Sequence, residues 1–196
     1  MKRSTLIVLV ATLALSLAAA PASAKHNPKP CKDARLVPTK PSQVKRLQQA
    51  TRCLINRERK KRGLPSLHQN KSLQKSSDWQ AADMESYAYF DHSRPDGPEF
   101  VDRILKYGYS AGASGYEIGE NIAWASSPIA SPKKMVKLWM DSPPHRENIL
   151  TKTFRDQAVS ALWVDRSVGG DYANAGGPFL IYVNQFGRMY GPMRKR

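Results

Sequence analysis

Residues 139–150 read WMDSPPHRENIL. An apolar stretch carrying Trp139 runs into two consecutive prolines, and a histidine follows at once. Proline lacks the N–H that a helix interior needs and pushes the residue before it towards extended backbone. The helix built on Met135, Val136, Leu138 and Trp139 must therefore stop before Pro143. Upstream of this point apolar residues recur at helical spacing, and downstream they gather into short β-rich runs. The stretch divides a helical first part of the chain from a sheet-forming end.

Working back from it, Ser131-Pro132 form a cap followed by a first-turn proline. A first helix is expected from an N-cap at Ser42, with Val44, Leu47, Ala50, Leu54 and Ile55 on its apolar stripe and Gly63 closing it. Residues 64–67 read as a short extended connector. A second helix begins near Asn70, places Leu73, Ser77, Ala81, Met84 and Ala88 on one stripe, and runs out around Tyr89-Phe90. Phe100, Ile104 and Leu105 make a short third helix between the turn at Asp96-Gly97-Pro98 and Gly108. Residues 112–119 are glycine-rich and read as irregular, delivering Glu120. Working forward, residues 158–164 and 179–186 read as strands joined by a glycine-rich loop at 169–177. Helices first and a hairpin last make an α+β domain, helices packed on a small antiparallel sheet.

The N-terminus adds an address. Met1-Lys2-Arg3 precede an apolar run from Leu6 to Ala20 that closes with Pro21-Ala22-Ser23-Ala24. A basic start, an apolar centre and an A-x-A end read as a secretory signal peptide, residues 1–24, cleaved after Ala24. A membrane anchor is the competing reading, but a spanning helix wants about 20 apolar residues. Residues 25–41, with Pro28, Pro30, Pro38 and Pro41, read as an extended leader, 42–190 as the folded domain, and 191–196 as a basic tail. Cleavage leaves 172 residues, enough for one ordinary core, and lowers the formal charge from +15 to +13. No second long apolar run follows, so the mature chain is expected to be secreted, without a transmembrane segment, and monomeric. Cys31 and Cys53, an even pair in an oxidising setting, read as one disulfide tying the leader to the first helix, worth about 3 kcal/mol on the chain-entropy model.

The surplus of positive charge invites a polyanionic partner. The basic residues cluster at 57–62 and in Arg194-Lys195-Arg196, and no aromatic residues are interleaved as stacking platforms require. Nucleic acid is therefore excluded as a partner. The runs read as a solvated helix face and a frayed tail, with weak attraction to anionic envelope components or lipid as the sharper alternative.

Phosphate loops, dinucleotide fingerprints and a G-x-S-x-G elbow are all absent. Of the four histidines, His26 lies in the leader and His68 in a connector, and both read as solvated. His92 and His145 each follow a helix end in a segment that must turn, and Glu120 closes a glycine-rich approach. Two imidazoles and a carboxylate could hold a divalent metal with open positions, or form a metal-free acid–base pair, or serve only as helix-end hydrogen-bonding groups. Their spacing does not choose among these.

Several ordered motifs resemble the CAP superfamily, which groups cysteine-rich secretory proteins, antigen 5 and plant pathogenesis-related proteins around the SCP domain. They are Asn56-Arg57-Glu58-Arg59 with Gly63-Leu64-Pro65-Ser66-Leu67, Phe90-Asp91-His92-Ser93, Asp102-Arg103-Ile104, Gly119-Glu120-Asn121-Ile122-Ala123, Trp139-Met140-Asp141-Ser142 and His145-Arg146-Glu147-Asn148-Ile149-Leu150. The last has the form usual in the bacterial branch, and the likeness runs from about Ala50 to Gly187. It implies an α-β-α sandwich with a central antiparallel sheet, and a cleft where two histidines and two acids converge, in some members on zinc. His92, Glu120 and His145 match three of those positions. The fourth, a glutamate in animal members, falls on Ser142, and neither Asp141 nor Glu117 is expected to replace it.

Two functions follow. The reading adopted is a secreted binding module with a His/Glu-lined cleft and no required cofactor. The alternative is a metal-assisted, peptidase-like hydrolase in which Glu120 or His145 handles the proton and His92 orients or ligates, with zinc on His92 and His145.

Overall fold

The structure, a computed structural model, describes residues 29–191. The signal peptide at 1–24, His26 and residues 192–196 of the tail lie outside them.

After a 3-10 turn at Pro41–Gln43, helix α1 spans Val44–Lys60, so the chain enters it through Gln43 and not through a Ser42 cap. Cys53 on α1 is joined to Cys31, with the two Cα atoms 5.8 Å apart. Helix α2, Lys71–Ser86, starts as its sequence predicts: the Asn70 side chain accepts from the N–H groups of Ser72 and Leu73. It ends earlier than its apolar stripe suggests, because Ala88 takes a φ of 55° and turns the chain away. Helix α3 is Phe100–Lys106.

Pro143 and Pro144 do more than end a helix. Helix α4, Pro132–Asp141, stops at Ser142, whose backbone is extended (φ −87°, ψ 119°). The same residue is the N-cap of helix α5, Pro143–Leu150, in which the prolines occupy the first turn. A missing N–H costs nothing there, since first-turn donors have no partner inside the helix. His145 therefore stands in the first turn of a helix rather than in a loop.

Four strands form one sheet: β1 (His68–Gln69), β2 (Gly115–Ser126), β3 (Asp156–Val164) and β4 (Phe179–Tyr190), in the order β1-β3-β4-β2. β4 lies between β3 and β2 and is antiparallel to both. The two-residue β1 runs parallel to β3 and makes the sheet mixed, covering part of the outer edge of β3. The long strand β2 replaces the irregular segment expected over 112–119. Its glycines hid it: a Cβ at Gly119 would lie 2.7 Å from Asn148 Oδ1, so close packing of α5 demands glycine inside a strand.

Alternate residues of β4 face opposite layers. Leu180, Tyr182 and Phe186 pack with Leu47 and Ile55 of α1, Met135 and Trp139 of α4, and Ile149 of α5. Phe179, Ile181 and Val183 pack with Ala81 and Met84 of α2. The sheet is thus buried on both faces, an α-β-α sandwich. Among the described residues no helix is long and apolar enough to cross a membrane.

Candidate functional site

Strand β2 is the outer strand of the sheet, and its side chains alternate between the two helical layers. Glu120 points to the α2–α3 layer, directly across from Gln185 on β4, while Asn121 points to the α5 layer. The free edge of β2 is where groups from the two layers can approach each other.

Glu120 is buried, and both its oxygens are engaged. Oε1 lies 2.9 Å from Nδ1 of His92. Oε2 accepts from Arg103 at 2.7 Å and from Gln185 Nε2 at 2.7 Å. A carboxylate can only accept, so Nδ1 of His92 carries the proton and Nε2 is the atom left to face outward. Arg103, also buried, uses its other terminal nitrogen to donate to the His92 carbonyl at 3.0 Å. Gln80 of α2 donates to that carbonyl and to the carbonyl of Asp91, so the loop carrying His92 is pinned from two helices. Arg103 Nε and Gln185 Oε1 have no protein partner among the described residues.

His145 is held from the other layer. Its Nδ1 lies 2.8 Å from the Ser142 hydroxyl, three residues back across the first turn of α5, and its carbonyl accepts from Asn121 at 2.9 Å. Asn148, one turn on, donates to the Glu120 carbonyl at 3.2 Å and to Asn121 Oδ1 at 2.9 Å, locking α5 to β2. Ser142, at the position of the missing acid, thus orients an imidazole instead of adding a charge.

The two imidazoles are tuned in opposite directions. The hydrogen bond to Glu120 holds the His92 pKa above its ordinary value, against the opposing effect of partial burial. Burial, and secondarily the neighbouring His92, hold His145 below its ordinary value. One site therefore pairs an imidazole that holds its proton more firmly than usual with one that holds it less firmly.

The residues do not fit a resident zinc ion. Glu120 is spent on His92, Gln185 and a guanidinium that a cation would have to displace. Each Nδ1 is also committed, leaving two Nε2 atoms, short of the three protein ligands of an open zinc site. Among the described residues no group of three or more His, Cys, Asp and Glu side chains is placed to hold a metal. Asp141 pairs with Lys137 at the surface, and Glu117 bonds Thr153 and Tyr190. Three positions from Glu120 along a strand, Glu117 points to the other face.

The sequence names His92, Glu120 and His145 as candidates, and Ser142 through the family resemblance, and does not reveal the contacts of Arg103, Gln185 and Asn148. Arg103 carried a signal: it sits on the apolar stripe of Phe100 and Ile104, where a charge needs a buried partner. His68, in β1, is exposed and apart from the site.

A family model described as the cysteine-rich secretory protein family, CAP, matches residues 53–162. An uncharacterized protein, YkwD, of Bacillus subtilis (strain 168) is 33% identical over 134 residues, covering 66% of this chain and 49% of its own length. The chain thus spans about half the length of that relative. An extracellular SCP-domain protein of Bacillus anthracis superposes with a TM-score of 0.58 at 24% identity, over 78% of this chain and 45% of that one. A cysteine-rich secretory protein of Staphylococcus aureus gives 0.52 at 17% identity, over 76% and 40%. An outer surface protein of Borrelia burgdorferi gives 0.51 at 20%, over 70% and 89%. At these identities the structural likenesses speak for the fold.

Proposed function

This chain belongs to the cysteine-rich secretory protein family, and from that premise we propose that it acts outside the cell as a binding module, with the β2 edge at His92, Glu120 and His145 as its recognition cleft. The observation that carries this reading is the saturation of Glu120: its oxygens serve Arg103, Gln185 and His92, so no free carboxylate base faces the cleft. What is presented is a pair of imidazoles shifted in opposite directions, suited to hydrogen-bonding a polar ligand. The secreted placement is supported by the signal-like residues 1–24 and by the extracellular relative of the same fold.

A thermal-shift series with divalent ions on the wild type, His92→Ala and His145→Ala tests it. The expected result is no large zinc-dependent rise in midpoint. A large rise that vanishes in both variants would restore the metal reading. Peptide turnover abolished in a folded His145→Ala variant would favour the hydrolase alternative.

A further inference from the structure

Two concavities, of about 560 and 390 Å³, run along α4. The first is lined by six cations: Arg57 of α1, with Lys61 and Arg62 just beyond its end, faces Lys133 and Lys137 of α4 and Arg146 of α5. Among the described residues its carboxylates are Glu58 and Asp141, leaving a surplus of four positive charges. The second shares Lys133 and Lys137 and adds Arg35 and Lys134. Glu58 is bound to Lys61 and Arg62, and Asp141 to Lys137. Among the described residues, Arg35, Arg57, Lys133, Lys134 and Arg146 have no carboxylate within 4.0 Å.

Like charges gathered from three helices into one groove repel one another, and an anion lying in the groove removes that cost. Because the two concavities share two lysines, the charge runs along the groove and matches anionic groups repeated along a chain. Among the described residues no aromatic side chain lines either concavity, so nucleobases would find nothing there to stack on. The recess between helices also fits a thread better than the flat surface of a bilayer.

We propose that this groove binds a linear polyanion of phosphate groups, at a site separate from the His92–His145 cleft. It deepens the binding-module reading and rests on it only for the extracellular setting.

Fluorescence anisotropy with labelled linear polyphosphate, over a series of salt concentrations, tests the assignment on the secreted chain. Binding should weaken steadily with salt, and Arg57→Gln/Lys133→Gln should weaken it roughly tenfold. Lys71→Gln/Lys75→Gln, the same charge change on the exposed face of α2, should leave it nearly unchanged. Should the first pair disturb folding, Lys133→Gln/Lys134→Gln, both exposed, takes its place. Equal weakening by both pairs, or no binding to polyphosphate, overturns the proposal. So does tighter binding to phosphatidylglycerol vesicles, which would mean a bilayer partner, or to a single-stranded oligonucleotide. Proton NMR titrations of His92 and His145 that stay unchanged in the groove variants keep failure here distinct from failure of the cleft reading.

Discussion

Glu120 accepts a hydrogen bond from Nδ1 of His92 at 2.9 Å, across 28 positions of sequence and two elements of structure. The contact fixes the tautomer of His92 and turns its Nε2 outward, and every property expected of the cleft depends on it.

The first consequence is electrostatic. By NMR titration His92 should show a midpoint above about 6.5 and His145 one below it. Glu120→Gln should bring the His92 midpoint down, since the first cause of its elevation is removed while burial remains. The stabilisation from the His92–Glu120 contact is fully present below the unfolded-state pKa and is lost as pH rises through the higher folded value. His145 contributes with the opposite sign: protonation on acidification below about 6.5 opposes folding. A reversed order of the two midpoints would remove the basis for the proposed tautomer.

Arg103 and Glu120 are both almost fully buried, so neither can lose the other cheaply. Arg103→Ala or Glu120→Ala should each cost roughly 3–5 kcal/mol in urea unfolding at neutral pH, because the remaining charge is left unpaired in the interior. A loss below about 1 kcal/mol would mark the pair as solvent-screened.

Arg59 has a similar standing on the other face. It is fully buried and donates to the carbonyls of Pro65, Ile149, Thr151 and Phe154, capping the end of α5 from α1. Burial pushes its pKa down to about 10. Lysine has a compact head and cannot fork to four acceptors, so Arg59→Lys should cost roughly 3 kcal/mol. Arg57→Gln, two positions away and half-buried, should stay within about 0.5 kcal/mol. Chemical denaturation of the two variants side by side checks the contrast.

The disulfide should behave as a tether on the unfolded chain. Unreduced protein should yield no free thiol. Replacing both cysteines by alanine should cost about 3 kcal/mol, read from denaturation midpoints.

Much of the fold was legible because it is local. The stripes of α1, α2 and α4 follow from the spacing of apolar residues, the start of α2 from Asn70, and β4 from an unbroken apolar run. Two local signals misled. Pro143-Pro144 end one helix and begin another, and proline chemistry is the same in both roles. Gly119 looked irregular because the partner that requires it, Asn148, lies on a helix still to come.

The α+β class, the Cys31–Cys53 pairing and the candidacy of His92, Glu120 and His145 could be read along the chain, since each rests on neighbouring residues or a countable pair, while Ser142 entered only through the family resemblance. Only the tertiary structure decided that Arg103 and Gln185 saturate Glu120, that Arg59 leaves its basic run to be buried, and that Arg57, Lys61 and Arg62 face Lys133, Lys137 and Arg146 across a groove. These relationships join residues far apart in the chain. No periodicity records them, and burial and charge pairing arise only when the layers close on the sheet.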